Sequence, residues 1–142
     1  MKRSLLTEAE GGPIGLAVDG ANRNDFKLAK ETLESIPVER PDSASRQPQG
    51  LCLDQGYDYD EVRDLAKEFG YTAHIRSRGE EAQALKRHAR FKARRWVVER
   101  THSWLNRFRR ILIRGEKTAQ NYLGLLHFAC AIITYRRAAV LG

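Results

Sequence analysis

The chain has 142 residues, 42% hydrophobic and 30% charged, with a net charge of +7; that is enough for one domain with a real core. The charge is uneven: residues 86–117 hold 12 Lys/Arg against Glu99 and Glu116, a local +10 that leaves −3 on the remainder. A concentrated basic segment on a mildly acidic body is the footprint of a polyanion binder, the plainer alternative being a solvated basic helix, and two cysteines in apolar runs (Leu51-Cys52-Leu53 and Phe128-Ala129-Cys130-Ala131) exclude a disulfide framework and point to buried thiols.

Lys2 to Thr7 reads as a strand, Glu10-Gly11-Gly12-Pro13 as a turn and Ile14 to Asp19 as a second strand, so residues 2–19 form a hairpin. Asp25 is placed to cap a helix from Phe26 to Ile36. Pro37 to Gln49 holds three of the four prolines and reads as an exposed connection. Gly50 to Asp54 then forms a short apolar strand of the kind buried on both faces, ending in an acid. Asp58 and Glu61 have capping-box spacing, and the helix they open runs to Phe69 and stops at Gly70. Tyr71 to Ile75 is a strand, and residues 76–91 are polar and basic without strong periodicity.

Residues 94–110 read as one amphipathic helix with Val97, Thr101, Trp104, Leu105, Phe108 and Leu112 on a single face. Glu99 sits opposite, the only acid between Glu81 and Glu116. It is either an ion-pair partner of Arg95 at i−4 or a metal ligand among phosphate-binding arginines. Trp96 and Trp104 fit a helix core better than base stacking, and His102 is a polar-face residue within reach of phosphate. Thr118 to Arg137 is apolar nearly all round, the pattern of a core helix. Its run from Tyr122 to Tyr135 is too short and interrupted to span a bilayer, and no signal peptide precedes the first strand, so a cytosolic protein is expected.

Strands alternating with helices give an α/β layer whose functional groups gather at the C-terminal strand ends. Asp54 lies at such an end and Glu99 on a helix that can cross the same edge. The two are suitable hard-oxygen ligands for one divalent metal, although Asp54 also fits a simple turn-capping residue. Asp19 is a rival by position.

Leu51-Cys52-Leu53-Asp54-Gln55-Gly56-Tyr57-Asp58 resembles the second-aspartate motif of the DDE transposases of bacterial insertion sequences, a resemblance carried further by Arg95-Trp96-Val97-Val98-Glu99-Arg100-Thr101 with Trp104 to Arg110, which is similar to the glutamate helix of that family. Asp19 to Asp25 and Asn121 to Leu126 resemble the segment after its early hairpin and its closing helix. The resemblance covers nearly the whole chain. It implies a ribonuclease-H-like mixed sheet with flanking helices and a two-metal mechanism using Mg²⁺ or Mn²⁺. Asp54 would be the second acidic ligand and Glu99 the third, with Arg95, Arg100, Arg107, Arg109 and Arg110 on DNA. Asn106 and Arg107 stand where the family often has a lysine, and Gln55 where a lysine is common.

No residue matches the family's first aspartate, whose strand is central and lies upstream of the hairpin. Residues 1–142 are therefore expected to be a partial catalytic domain, inactive alone. It would be joined by an upstream N-terminal part through frameshifting, or else be a decayed copy. The implied partners are double-stranded DNA (element ends and target), that upstream part and a second copy in a homo-oligomer, with no membrane, in the bacterial cytosol at the nucleoid. The rival readings are a non-catalytic DNA-binding fragment that inhibits full-length transposase, and an unrelated basic α/β nuclease.

Overall fold

A computed structural model describes residues 1–40, 49–75 and 95–141. Most of the Pro37–Gln49 connection and the whole basic segment 76–91 lie outside the described residues, as does Arg94. The chain is mixed α/β and divides into two compact units, residues 1–37 with 97–142, and residues 38–96.

The first unit opens with β1 (Lys2–Thr7) and β2 (Pro13–Asp19), antiparallel, with Leu5 opposite Leu16 and Arg3 opposite Val18. Alternation sends successive side chains to opposite faces. On one face lies α1 (Asp25–Glu34), burying Leu28, Ala29, Thr32 and Leu33. Its N-cap is Asn24, whose side chain accepts the Phe26 amide, and Asp25 is instead the first helical residue. The helix end is tied to the sheet: Ser35 Oγ accepts the Leu16 amide at 2.8 Å, and Thr32 Oγ1 meets Ser4 Oγ at 2.7 Å.

On the other face Leu16 joins a core of Leu105, Ile111, Tyr122, Leu126, Ala129 and Ile133, with Leu5, Val18, Trp104 and Phe108 against it. These come from α3 (Arg95–Leu105), α4 (Arg109–Leu112) and α5 (Ala119–Leu141). The expected helix over 94–110 is thus two helices. Phe108 turns extended (φ −82°, ψ 109°), which breaks the run at Asn106–Phe108 and resets its phase. Ile111 consequently points inward, while Leu112, expected on the buried face, is 60% exposed.

α5 also corrects its expectation. Its buried residues Tyr122, Leu126, Ala129 and Ile133 form a single stripe, while Phe128, Tyr135 and Val140 are exposed. An apolar helix is buried only where a neighbour covers it, and here the hairpin and α4 meet one side. From Ala119 to Val140 it is long and apolar enough to cross a membrane by length and composition, as the core helix of a soluble protein can also be.

In the second unit β3 (Gln49–Leu53) pairs in parallel with β4 (Tyr71–Ile75), with Leu51 beside Ala73 and Leu53 beside Ile75. Between them a short 3₁₀ turn (Gln55–Tyr57) leads to α2 (Asp60–Glu68). Val62, Leu65 and Ala66 of α2 are buried together with Leu51 and Ile75. Gly70, at φ +78°, ends α2 in the left-handed conformation that glycine adopts without strain. The N-cap of α2 is Tyr59, with no side-chain cap; Asp58 pairs instead with Arg63 at 2.7 Å, so the expected capping box does not form.

Cys52 is exposed, correcting the expected buried thiol. Period-two alternation puts Leu51 on the α2 face of β3 and Cys52 on the other, beside His74. Each sheet has two strands among the described residues.

Candidate nucleic-acid and metal site

Glu99 is presented by a helix whose rotation is fixed from behind. Val97, Thr101 and Leu105 recur at i, i+4 and i+8 and are buried, while Glu99 and Ser103 face solvent. Thr101 is fully buried, and its Oγ1 donates to the Gly11 carbonyl at 2.7 Å. Arg100 Nη2 donates to the neighbouring Glu10 carbonyl, and its guanidinium lies 4.9 Å from the Trp104 ring.

The turn they grip is itself closed. The Glu8 carboxylate accepts the Gly12 amide at 2.6 Å and the Glu10 amide at 2.9 Å, and the Glu8 amide donates to the Gly12 carbonyl at 2.9 Å. Gly11 sits at φ +95°, and a Cβ there would stand 3.0 Å from Thr101 Oγ1 and 3.1 Å from Arg100 Nη2. From α5, Arg137 reaches Glu8 at 3.4 Å and Glu10 at 3.5 Å and lies 5.7 Å from Trp104. Trp104 is half-buried against the core as expected, whereas Trp96 is 45% exposed, contrary to expectation.

At the end of α3, Arg3 enters from β1 near His102 and Asn106. Arg3 Nη2 donates to Asn106 Oδ1 at 2.9 Å, and its Nη1 is buried without a partner among the described residues. Burial, and secondarily the Arg3 charge, push His102 below the ordinary imidazole range. Burial likewise raises the Cys130 thiol to about 11, against an opposing effect of Arg3.

A depressed histidine is neutral in the fold, while the unfolded chain takes up a proton below about pH 6.5. The stability from a neutral His102 is therefore fully present above that pH and is lost as pH falls toward the lower folded value. Thermal unfolding across pH 5.5–8 is expected to show a midpoint that falls on the acid side, and His102→Gln should flatten that fall. An equal acid-side slope in both proteins would show that other groups carry it.

Asp54 follows the last residue of β3 and is exposed, its carbonyl accepting the Tyr57 amide at 2.9 Å. Asp19, at the end of β2, accepts its Gly20 neighbour's amide at 2.7 Å and pairs with Arg23 at 3.2 Å. Asp25 pairs with Lys2. Asp54 belongs to the unit of residues 38–96 and Glu99 to the other. Both donate hard carboxylate oxygens, the type Mg²⁺ and Mn²⁺ take. Among the described residues no three His, Cys, Asp or Glu side chains cluster as a metal site.

Of the expected DNA-binding cations, Arg107, Arg109 and Arg110 are exposed, with Arg114 and Lys117 close by in sequence. Arg110 pairs with Glu116 at 3.6 Å, and Arg114 lies 5.8 Å from the Tyr122 ring. Arg95 begins α3, and its side chain lies outside the described residues. Sequence reasoning passed over Arg3, Gly11 and Arg137. The signal for Arg3 was its phase: it alternates with Leu5 on a face whose other residues are apolar.

The transposase DDE domain family matches residues 51–136, a span that holds both Asp54 and Glu99. A Burkholderia cepacia protein described as a transposase for insertion sequence element IS402 is 34% identical over 143 aligned positions, which cover 96% of this chain. The chain spans 65% of that relative's length. No solved structure matches the chain.

Proposed function

This chain belongs to the transposase DDE family of insertion sequences, and from that premise we propose that it is part of the catalytic region of a transposase that cuts and joins DNA strands at the ends of its element. The observation that carries this reading is the family match over residues 51–136, which takes in the strand-end Asp54 and the helix-borne Glu99 together. The chain is assigned to a ribonuclease-H-like domain of the complete protein.

Asp54 and Glu99 are proposed to hold divalent metal, Mg²⁺ or Mn²⁺. When bound, such ions polarise the scissile phosphodiester and favour the hydroxide or alkoxide form of the attacking oxygen. The chain's own residues do the rest. Thr101, Val97 and Leu105 hold α3 so that Glu99 faces outward, and the exposed Arg107, Arg109 and Arg110 bind backbone phosphates and fix the strand's position. The chain spans only 65% of the length of the transposase it resembles. Catalysis is accordingly assigned to the complete transposase, with upstream sequence and a second copy as partners, acting in the bacterial cytosol.

Cleavage of supercoiled DNA carrying the element ends tests the assignment. The complete transposase is expected to cut with Mg²⁺ or Mn²⁺ and to stop on EDTA, while the 142-residue chain binds duplex without cutting, with or without EDTA. Cutting that persists in EDTA would overturn the metal assignment. A complete transposase that binds but never cuts would favour the DNA-binding inhibitor instead.

A further inference from the structure

The arginines of the basic segment are not equivalent. Arg100 is half-buried, donates to the Glu10 carbonyl and stacks on Trp104, a ring that Arg137 also approaches while it pairs with Glu8 and Glu10. To reach a phosphate, either guanidinium would have to give up a charge-assisted hydrogen bond or ion pair and an aromatic contact. Arg109, Arg110 and Arg114 have less to give up: Arg110 an exposed pair with Glu116, and Arg114 a contact 5.8 Å from the Tyr122 ring. α4 is a four-residue knuckle anchored by Ile111, which is 4% exposed and whose carbonyl accepts the Tyr122 hydroxyl at 3.3 Å. Around that anchor Arg109, Arg110 and Arg114 point into solvent. Among the described residues the acid that pairs there is Glu116, whose exposed pair with Arg110 a phosphate can replace at little cost.

We propose that the basic segment is divided by role: Arg109, Arg110 and Arg114 on the α4 knuckle contact the phosphates of a DNA duplex, whereas Arg100, with Arg137, is an internal cation that locks the hairpin turn to the helices and contacts no DNA. The division rests on the DNA-binding reading above and narrows it to one surface. It adds Arg114, which the sequence pattern did not single out, and withdraws Arg100, which it did.

The test is the salt dependence of binding between the 142-residue chain and a fluorescein-labelled duplex of random sequence. Each phosphate contact contributes roughly 0.9 to the slope of log affinity against log salt, so a combined Arg109→Gln, Arg110→Gln, Arg114→Gln variant should flatten the slope by about 2.7. Arg100→Gln should keep the wild-type slope, hold affinity within about twofold, and lower the thermal midpoint by about 5 °C. Should Arg100→Gln fail to fold, Gly11→Ala strains the same turn without changing charge. It should likewise lower the midpoint and keep the slope. A slope reduced by about one in Arg100→Gln, or unchanged in the triple variant, overturns the division alone. A wild-type chain whose binding ignores salt overturns the DNA reading, and the division with it.

Discussion

Glu99→Gln is expected to abolish strand cleavage by the complete transposase while leaving its hold on DNA intact. A metal ligand supplies several kcal/mol of transition-state stabilisation, so its loss should slow cutting by roughly a thousandfold or more. The amide keeps the shape of the side chain and loses only its charge. Because Glu99 is exposed and its helix is held by Val97, Thr101 and Leu105, stability should change by less than about 0.5 kcal/mol. Duplex affinity should be unchanged or slightly tighter, since the substitution removes one of two acids from a segment carrying 12 cations. The competing idea, an ion-pair partner for Arg95, makes the opposite forecast of little change in rate. Cleavage within about tenfold of wild type would remove Glu99 from the metal site. Asp54→Asn should reproduce the loss.

The largest stability effect is expected from Leu126→Ala. Leu126 is fully buried at the centre of the first unit's core, beside Leu16, Leu105 and Tyr122. Truncating such a leucine costs about 2–5 kcal/mol through lost burial and the cavity left behind. That is a large part of the roughly 5–15 kcal/mol that holds a domain together. Phe128, two positions on in the same helix, is 67% exposed. Phe128→Ala should therefore shift the urea midpoint far less, by about 0.5 kcal/mol or under. Comparable losses in the two variants would mean that α5 is covered on its outer side in solution.

Where a pattern involves residues close in sequence, the amino-acid order was a good guide. The hairpin, the stop at Gly70 and the strand ending just before Asp54 all follow from turn chemistry and apolar runs. What it could not convey is which faces are covered. Cys52 sits in as apolar a run as Leu51, yet among the described residues Leu51 is buried and Cys52 is exposed. Phe128 and Leu126 are equally apolar, yet among the described residues Leu126 is buried and Phe128 exposed. The break at Asn106–Phe108 was hidden because helical spacing continues through it, with neither glycine nor proline to mark it. At the site, Glu99 stood out as a lone acid among bases. The role of Arg100 depends on a carbonyl 90 residues earlier, a relation no local spacing reveals.

That long reach bears on how the protein is made. The first unit is assembled from residues 1–37 and 97–142, with 38–96 intervening. At ordinary elongation rates, roughly 3–12 s pass between delivery of its two pieces. A two-stranded hairpin is marginal by itself in water, so Leu5, Leu16 and Val18 wait on the nascent chain for the helices that cover them. Between the delivery of those two pieces the emerging polypeptide thus carries an unfinished, sticky ribbon, a natural client for ribosome-bound chaperones.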